Sequence, residues 1–546
     1  MLDVSVFDFV KAVMRGDETA LIDVREQWEY CQGHALLASN CPLSSLELQI
    51  DQHVPCRRAH VVVMDDGARQ EGGLAIKALQ RLQAMGYLHV HRLAGGLPAW
   101  QAAGYHVFTG IHVIGKLFGE IVEHQCHTPT VMPQPAGASA WESGAAVLVD
   151  IRPRDEFERA TVPGSINVPV GELLRSDLRA LHSQQAAPLI VHCGGRTRGI
   201  IAGQTVAEAD PAVAVTVLCD GTIGWRLTGG QTVGGRVEQP VPLHSPDDVR
   251  RRAATLLDRA GIARIPWSAL AGLDAARLER TVYYVDVRSP EEYAAAHHPL
   301  AVGKAAGQLL QEMDALLAVR NAEIVLFDDL GDRAAIAGYW LHQAGWRRIS
   351  WVSYDECREE LVAGEAPQPI PALDARVRYI GIGELAGRMR AGPVRLIDLS
   401  SSVHFEEARI PGAIFAIRSM LEDCDLDAAL PGESPLVLTC EDGRRAALAA
   451  CDLAARHPAN VCVLQGGNQA WRRSGLAMQT GAGGTALHPP HDVRRSIYDT
   501  PSQLTQAMRS YIEWETALPA QAIGEEYLRF FASGLAAAVG GSGGGR

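Results

Sequence analysis

Two cysteines stand where a thiol can act as a nucleophile. Cys193 opens the loop Cys-Gly-Gly-Arg-Thr-Arg (193–198), and Cys440 opens Cys-Glu-Asp-Gly-Arg-Arg (440–445). Each follows a short apolar run, LIVH (189–192) or LVLT (436–439), and precedes an alanine-rich pattern with apolar residues three and four apart. That order reads as a buried strand, a tight loop and a helix packed on one face. At a helix start several backbone N–H groups lack intrahelical partners, and the helix dipole adds partial positive charge. With arginines close by, a thiolate in either loop is expected to be stabilised, its pKa below the free value of about 8.5. Such a thiolate can attack a sulfur donor and hold the transferred sulfur as a persulfide, itself an anion.

The elements that position these loops recur four times. An apolar run ends in Asp23, Asp150, Asp286 and Asp398, and seven residues after each comes an aromatic: Tyr30, Phe157, Tyr293, Phe405. A second apolar run follows, and the residue just after it is Asp65, Cys193, Asp328 or Cys440, lying 42, 43, 42 and 42 residues beyond the first Asp. A third run leads to a Gly-rich turn and a tryptophan in LAGGLPAW, LCDGTIGW and LQGGNQAW; the third copy has only WVSYDE (351–356). Short apolar runs alternating with helical patterns predict an α/β fold, a small parallel sheet flanked by helices in each copy. The boundaries read 1–110, 111–235, 245–365 and 375–482, with linkers at 108–126, 231–246 and 366–376. A tail over 483–546 holds two amphipathic helical patterns, 502–515 and 522–539, and a Gly-rich end.

Length and composition set the frame. The chain has 546 residues, 47% hydrophobic and 21% charged, which excludes a wholly disordered chain. Net charge is −13, so nucleic acid and anionic membranes are not expected as partners, and an anion site must be a local patch. No apolar stretch is long enough to span a membrane, and the N-terminus does not read as a secretory signal; the expected location is cytoplasmic. The eleven cysteines include no CxxC pair, so they read as thiols, mostly packing residues, rather than zinc ligands or a disulfide framework.

The order strand, Asp-x-Arg, aromatic, turn, strand, Cys loop, helix, GGxxxW resembles the rhodanese family of sulfurtransferases over nearly the whole chain except the last 65 or so residues. The resemblance implies four tandem rhodanese-like domains and a persulfide on Cys193, and on Cys440 as the second candidate. Thiosulfate or a similar small anion is implied as donor, with cyanide or a thiol as acceptor and no metal or organic cofactor. Loop residues Gly194, Gly195, Arg196, Thr197 and Arg198, and Glu441, Asp442, Gly443, Arg444 and Arg445, are implied to hold substrate. Copies with Asp65 or Asp328 at the Cys position look like the family's silent domains, each carboxylate filling the anion cradle from within. Four residues separate Cys193 from Arg198 and Cys440 from Arg445, one fewer than in the related cell-cycle phosphatases and arsenate reductases, which favours sulfur over phosphate.

The chain departs from the family pattern at Arg196, where glycine is usual, and at Ser400, where the Asp-x-Arg arginine is missing. Glu441 and Asp442 should repel a dianion, so Cys193 is the better site for thiosulfate. Arg152 reads as an ion-pair partner of a nearby carboxylate, with an influence on substrate as the alternative, Arg196 and Arg198 as anion ligands, and His192 either as a core residue or as a group that tunes the thiol. Trp100, Trp225 and Trp471 read as packing residues, with Trp225 also placed at the mouth of the Cys193 site. Two alternatives stay open: a persulfide relay or interaction platform fed by a partner protein, and a phosphatase or arsenate reductase on the same fold.

Overall fold

The chain forms four α/β units, each built on a parallel sheet with the same strand order. The computed structural model describes residues 3–68, 72–133, 141, 144–180, 187–236, 240–356, 361–364, 377–430, 435–454, 461–499, 501–525 and 527–528. In the second unit the strands lie in the spatial order Thr130–Val131, Val215–Leu218, Leu189–His192, Val147–Asp150, Ile166–Asn167. The third and fourth sheets repeat it strand for strand, and the first does so with one addition. The central strands are apolar and buried on both faces, as in sheets covered by helices on each side. Strand Leu189–His192 delivers Cys193 at its carboxyl end, and Leu436–Thr439 delivers Cys440. That edge is where open α/β sheets place ligand sites.

Three of the units share one core. The first sheet gains an antiparallel strand from the third unit, Val319–Arg320, paired with Ala20 and Thr19. Tyr283 donates its hydroxyl to the His53 carbonyl across the same seam, at 2.5 Å. Buried residues of units one, two and three, together with Leu518 and Tyr527 of the tail, form a single hydrophobic cluster, while the fourth unit keeps two clusters of its own. Polar contacts attach that unit to the first: Arg418, 2% exposed, donates to Glu47 at 2.7 and 2.8 Å and also pairs with Asp452.

The segment expected as a first linker is the exception to the sequence reading. Residues Val113–Cys126 form a helix, and its Val113, Ile114, Leu117, Phe118, Ile121 and Val122 are buried in the shared core. Their three-and-four spacing is that of an amphipathic helix, so 108–126 is a structural centre rather than a connector. The stretch 231–246 is pinned by bridges from Val233 to Thr161 and from Leu243 to Ser176. The third linker, 366–376, lies outside the described residues.

Among the described residues the first tail pattern forms the helix Leu504–Gln521; the second, 522–539, lies mostly outside them. The helix crosses the central helix: Trp514 donates its indole N–H to the Thr109 carbonyl at 3.0 Å and packs on Gly110, where any side chain would collide with the ring. Tyr527 is fully buried between Trp100 and Tyr105. Among the described residues, no helix is long and apolar enough to cross a membrane.

Candidate active site

The four Asp/Cys positions share one geometry. Asp328 accepts hydrogen bonds from the backbone N–H groups of Asp329, Arg333 and Ala334, at 2.8, 2.9 and 3.0 Å. Asp65 accepts from Gly67 and Ala75, both at 2.9 Å. In these two units a carboxylate sits among the loop N–H groups, as the anion-cradle reading requires. The third unit's loop is further closed by Arg175 of unit two, which donates to Asp332 at 2.6 and 2.8 Å and to Asp329 at 2.8 Å. Arg175 and Arg333 thus face Asp328, Asp329 and Asp332 together, while burial and the neighbouring Asp332 push the Asp328 carboxyl well above the usual carboxylate range.

Where the cradle holds cysteine, the sulfur takes the carboxylate's place. The N–H groups of Gly199 and Gly195 point at Cys193, and that of Ala446 at Cys440. The close fit of the third strand's turn explains the glycine signature. Gly96, Gly221 and Gly467 all adopt left-handed φ, +57°, +56° and +58°, against the carbonyls of Asp65, Cys193 and Cys440. Thr222 N–H donates to the Cys193 carbonyl and Ile223 N–H to that of Gly194, both at 3.0 Å. The tryptophans that follow are buried, and each donates its indole N–H to a carbonyl six residues on: Trp100 to His106, Trp225 to Gln231, Trp471 to Ala477. Trp225 thus belongs to the core and does not line the Cys193 cleft.

Cys193 lies at the base of a cleft of about 780 Å³. Its thiol is 2% exposed, and burial pushes its pKa up. Arg198 is the largest force opposing that shift, followed by the Gly199 N–H, while the Glu515 carboxylate pushes the same way as burial. The lowered thiol pKa expected from the loop alone is not found, because the sulfur has been withdrawn from water and a carboxylate from the tail stands near it. Burial pushes the Cys440 thiol up to about 12; Arg445 opposes the shift, and Glu441 and Asp442 add to it. Its thiol donates to Asp442 at 3.7 Å.

The arginines of the first loop divide. Arg198 is bidentate to Glu156 at 2.7 and 2.8 Å and donates to Gln308 of unit three at 2.8 Å. Arg196 turns to Glu120, Glu123 and Asp220. Arg196, expected to help hold the anion, lines the cleft but is engaged by these three carboxylates, and it ties the loop to the central helix. Gly119 makes that approach possible, since a Cβ there would meet Thr197 at 2.8 Å. Arg152 pairs bidentately with Asp150, at 2.6 and 2.9 Å, as Arg25 and Arg288 do with Asp23 and Asp286. In unit four Asn468 replaces that arginine, donating to Asp398 at 2.8 Å. His192 is buried, with Nε2 against Ser165 Oγ at 2.8 Å, and acts as a core residue.

In the second loop, Glu441 accepts from the Ser401 N–H, and Asp442 pairs with Arg444. Gly443 has φ +88°, and Arg445 donates to the Leu399 carbonyl at 2.7 Å. The cleft of about 320 Å³ beside this unit includes Arg445 but not Cys440 in its lining.

Sequence reading missed the roof of the Cys193 cleft. Lys116 comes from the central helix, Arg494 and Tyr498 from the segment after unit four, and Tyr511 and Glu515 from the tail helix. Thr197 donates its hydroxyl to Glu515 at 2.7 Å, and Tyr511 and Glu515 lie over Gly195. No local motif marks these residues. The one available signal was the amphipathic pattern at 502–515, which called for a docking surface without saying where.

The comparisons with known proteins agree with this geometry. The model of the rhodanese-like domain matches residues 7–103, 137–227 and 382–474. The crystal structure of a thiosulfate sulfurtransferase from Pseudomonas aeruginosa superposes with a TM-score of 0.88 and 35% identity, covering 97% of this chain and 99% of that one. The putative thiosulfate sulfurtransferase SseB of Mycobacterium tuberculosis is 29% identical over 250 residues, covering 38% of this chain and 84% of SseB. Fold and loops together define a tandem α/β protein with two loops whose backbone N–H groups face a cysteine sulfur. The chain belongs to the rhodanese-like family. Its third unit, outside the family-model matches, keeps the strand order while lacking the Gly pair; there Trp351 packs on Gly331 instead.

Proposed function

We propose that the protein is a thiosulfate sulfurtransferase-type enzyme that works through a persulfide on Cys193. The thiolate attacks the outer sulfur of thiosulfate. The donor's S–S bond breaks, sulfite leaves with the bonding electrons, and the persulfide anion stays in the N–H cradle. A thiophilic acceptor, cyanide or a thiol, then attacks the outer sulfur and regenerates the thiolate, a two-step covalent cycle. The observation that carries this reading is Cys193 occupying the N–H cradle that Asp65 and Asp328 fill in the other units, at the base of an open cleft. On this reading units 1–110 and 245–365 are silent, 111–235 is active, and 375–482 is secondary, its Cys440 flanked by two acids. The location we assign is cytoplasmic.

Intact mass after incubation with thiosulfate, followed by peptide mapping, tests the proposal. The expected product gains the mass of one sulfur atom on the peptide containing Cys193, and cyanide removes it. A protein that gains no sulfur on Cys193 would overturn the reading.

The two charges that act most on the thiol move the pH profile in opposite directions. Arg198 favours the thiolate, so Arg198→Met should raise the thiol pKa. The rising limb of the persulfide-loading rate then moves to higher pH, with at least about a tenfold loss near neutrality. Glu515 disfavours the thiolate. Glu515→Gln keeps an oxygen to accept from Thr197 but removes the charge, so the rising limb moves to lower pH. Stopped-flow loading rates across pH check both signs.

A further inference from the structure

The Cys193 cleft is much larger than the donor requires. Cavities of roughly 300–1,000 Å³ hold drug-sized organic molecules, and thiosulfate has five heavy atoms. At about 780 Å³, this cleft has room for an organic acceptor beside the loop. Most of its cations are already matched: Arg198 by Glu156, Arg196 by its three carboxylates, Arg152 by Asp150. Arg226 also makes no ion pair among the described residues, but its guanidinium is given to the Thr232 hydroxyl. Lys116 and Arg494 are different: among the described residues neither makes an ion pair or donates its charged group to another side chain, and both line the cleft.

Lys116 is 5% exposed. Its ammonium donates to the Ile111 carbonyl at 2.7 Å and lies 5.1 and 5.7 Å from the ring centres of Trp514 and Tyr511. Burial pushes its pKa down to about 8, so it remains mostly charged at neutral pH; Glu515 is the main group opposing the shift. Thr197 takes one oxygen of that carboxylate, Oε1, while Oε2 is buried without a hydrogen-bond partner, and among the described residues Glu515 makes no ion pair with Lys116. A buried ammonium with no paired carboxylate is costly and favours an incoming anion. Arg494 is held in place by its backbone N–H, which donates to Gln27 Oε1 at 3.0 Å, leaving the guanidinium fork for a ligand. Such a fork matches a carboxylate in bidentate fashion.

We propose that Lys116 and Arg494 form an anion subsite for the acceptor, which is a small organic thiol bearing a carboxylate. The proposal rests on the Cys193 persulfide reading for its chemistry. The acceptor thiolate attacks the outer sulfur of the persulfide. An S–S bond forms in the acceptor persulfide, the bond to Cys193 breaks, and its electron pair returns to Cys193 as thiolate. The carboxylate stays on the two cations throughout. The subsite is assembled from the central helix and the segment after unit four, outside the rhodanese-like units' own loops.

A pair of matched acceptors tests this. With thiosulfate as donor, kcat/KM should favour mercaptoacetate over 2-mercaptoethanol by about tenfold in the parent, and Arg494→Gln or Lys116→Met should bring that ratio close to one, chiefly through KM. Equal values in the parent, or a ratio that neither variant changes, would overturn the proposal. Alkylation of Cys193 by iodoacetate against iodoacetamide reads the same subsite without any sulfur transfer. The expected result is an iodoacetate preference in the parent that falls in Arg494→Gln. If that preference falls while thiosulfate loads no persulfide, the subsite stands and the sulfur-transfer reading fails. If it does not change while turnover is normal, the subsite fails alone.

Discussion

Cys193→Ser is expected to abolish both the sulfur adduct and thiosulfate-dependent turnover, a loss of at least about 1000-fold, because serine cannot hold the transferred sulfur as a persulfide. Cys440→Ser is expected to leave turnover within about twofold of the parent, by the same measure of transition-state loss. The contrast follows from surroundings rather than from the loops' shared length. Arg198 is the main force favouring the Cys193 thiolate, which faces the open cleft. Cys440 has Arg445, but Glu441 and Asp442 oppose it, and the neighbouring cleft does not reach the sulfur. Steady-state rates with intact mass on both single variants and the double variant decide the matter. Loss of the adduct only with Cys440→Ser would reverse the ranking of the two loops.

The repeat was legible because its signals are local. An apolar run must end in Asp23, Asp150, Asp286 or Asp398 for the carboxylate to anchor the chain two residues on, through Arg25, Arg152, Arg288 or the Ser400 N–H. The distance of 42 or 43 residues to the next central strand end is then set by a helix, a short edge strand and a return segment that recur in each unit. Asp65 and Asp328 could be read as cradle-fillers for the same reason: the chemistry of one position follows from its place at a strand end. The roof of the cleft was not legible. Lys116, Arg494, Tyr511 and Glu515 meet only after the central and tail helices cross, and their separation in sequence carries no period. The ion pairs of Arg196 were not legible for the same reason. Its three carboxylates come from the central helix and from the turn at Asp220, and neither is visible from the loop. The thiol's environment shifted with them, since burial and Glu515 are both consequences of tertiary packing.

Gly221→Ala should reduce persulfide formation about 100-fold, the loss expected from moving a reacting group by roughly an ångström. A Cβ at Gly221 would lie 2.2 Å from the Cys193 carbonyl oxygen and 2.8 Å from that of Gly195. Both contacts are with backbone, so no side chain can rotate away and the loop itself must move. The residue also holds φ at +56°, where alanine is strained by about 1–2 kcal/mol. The shift would stretch the Thr222 N–H bond to the Cys193 carbonyl and displace the Gly195 and Gly199 N–H groups that face the sulfur. Gly467→Ala meets the Cys440 carbonyl at the same 2.2 Å, so it imposes a comparable strain on unit four. It therefore serves as the control: a stability loss similar to that of Gly221→Ala, with Cys193 loading nearly intact. Measuring the loading rate and the denaturant midpoint of both variants separates a displaced cradle from general destabilisation. Equal losses of rate in the two would mean that the glycine turn supports the fold and not the Cys193 loop.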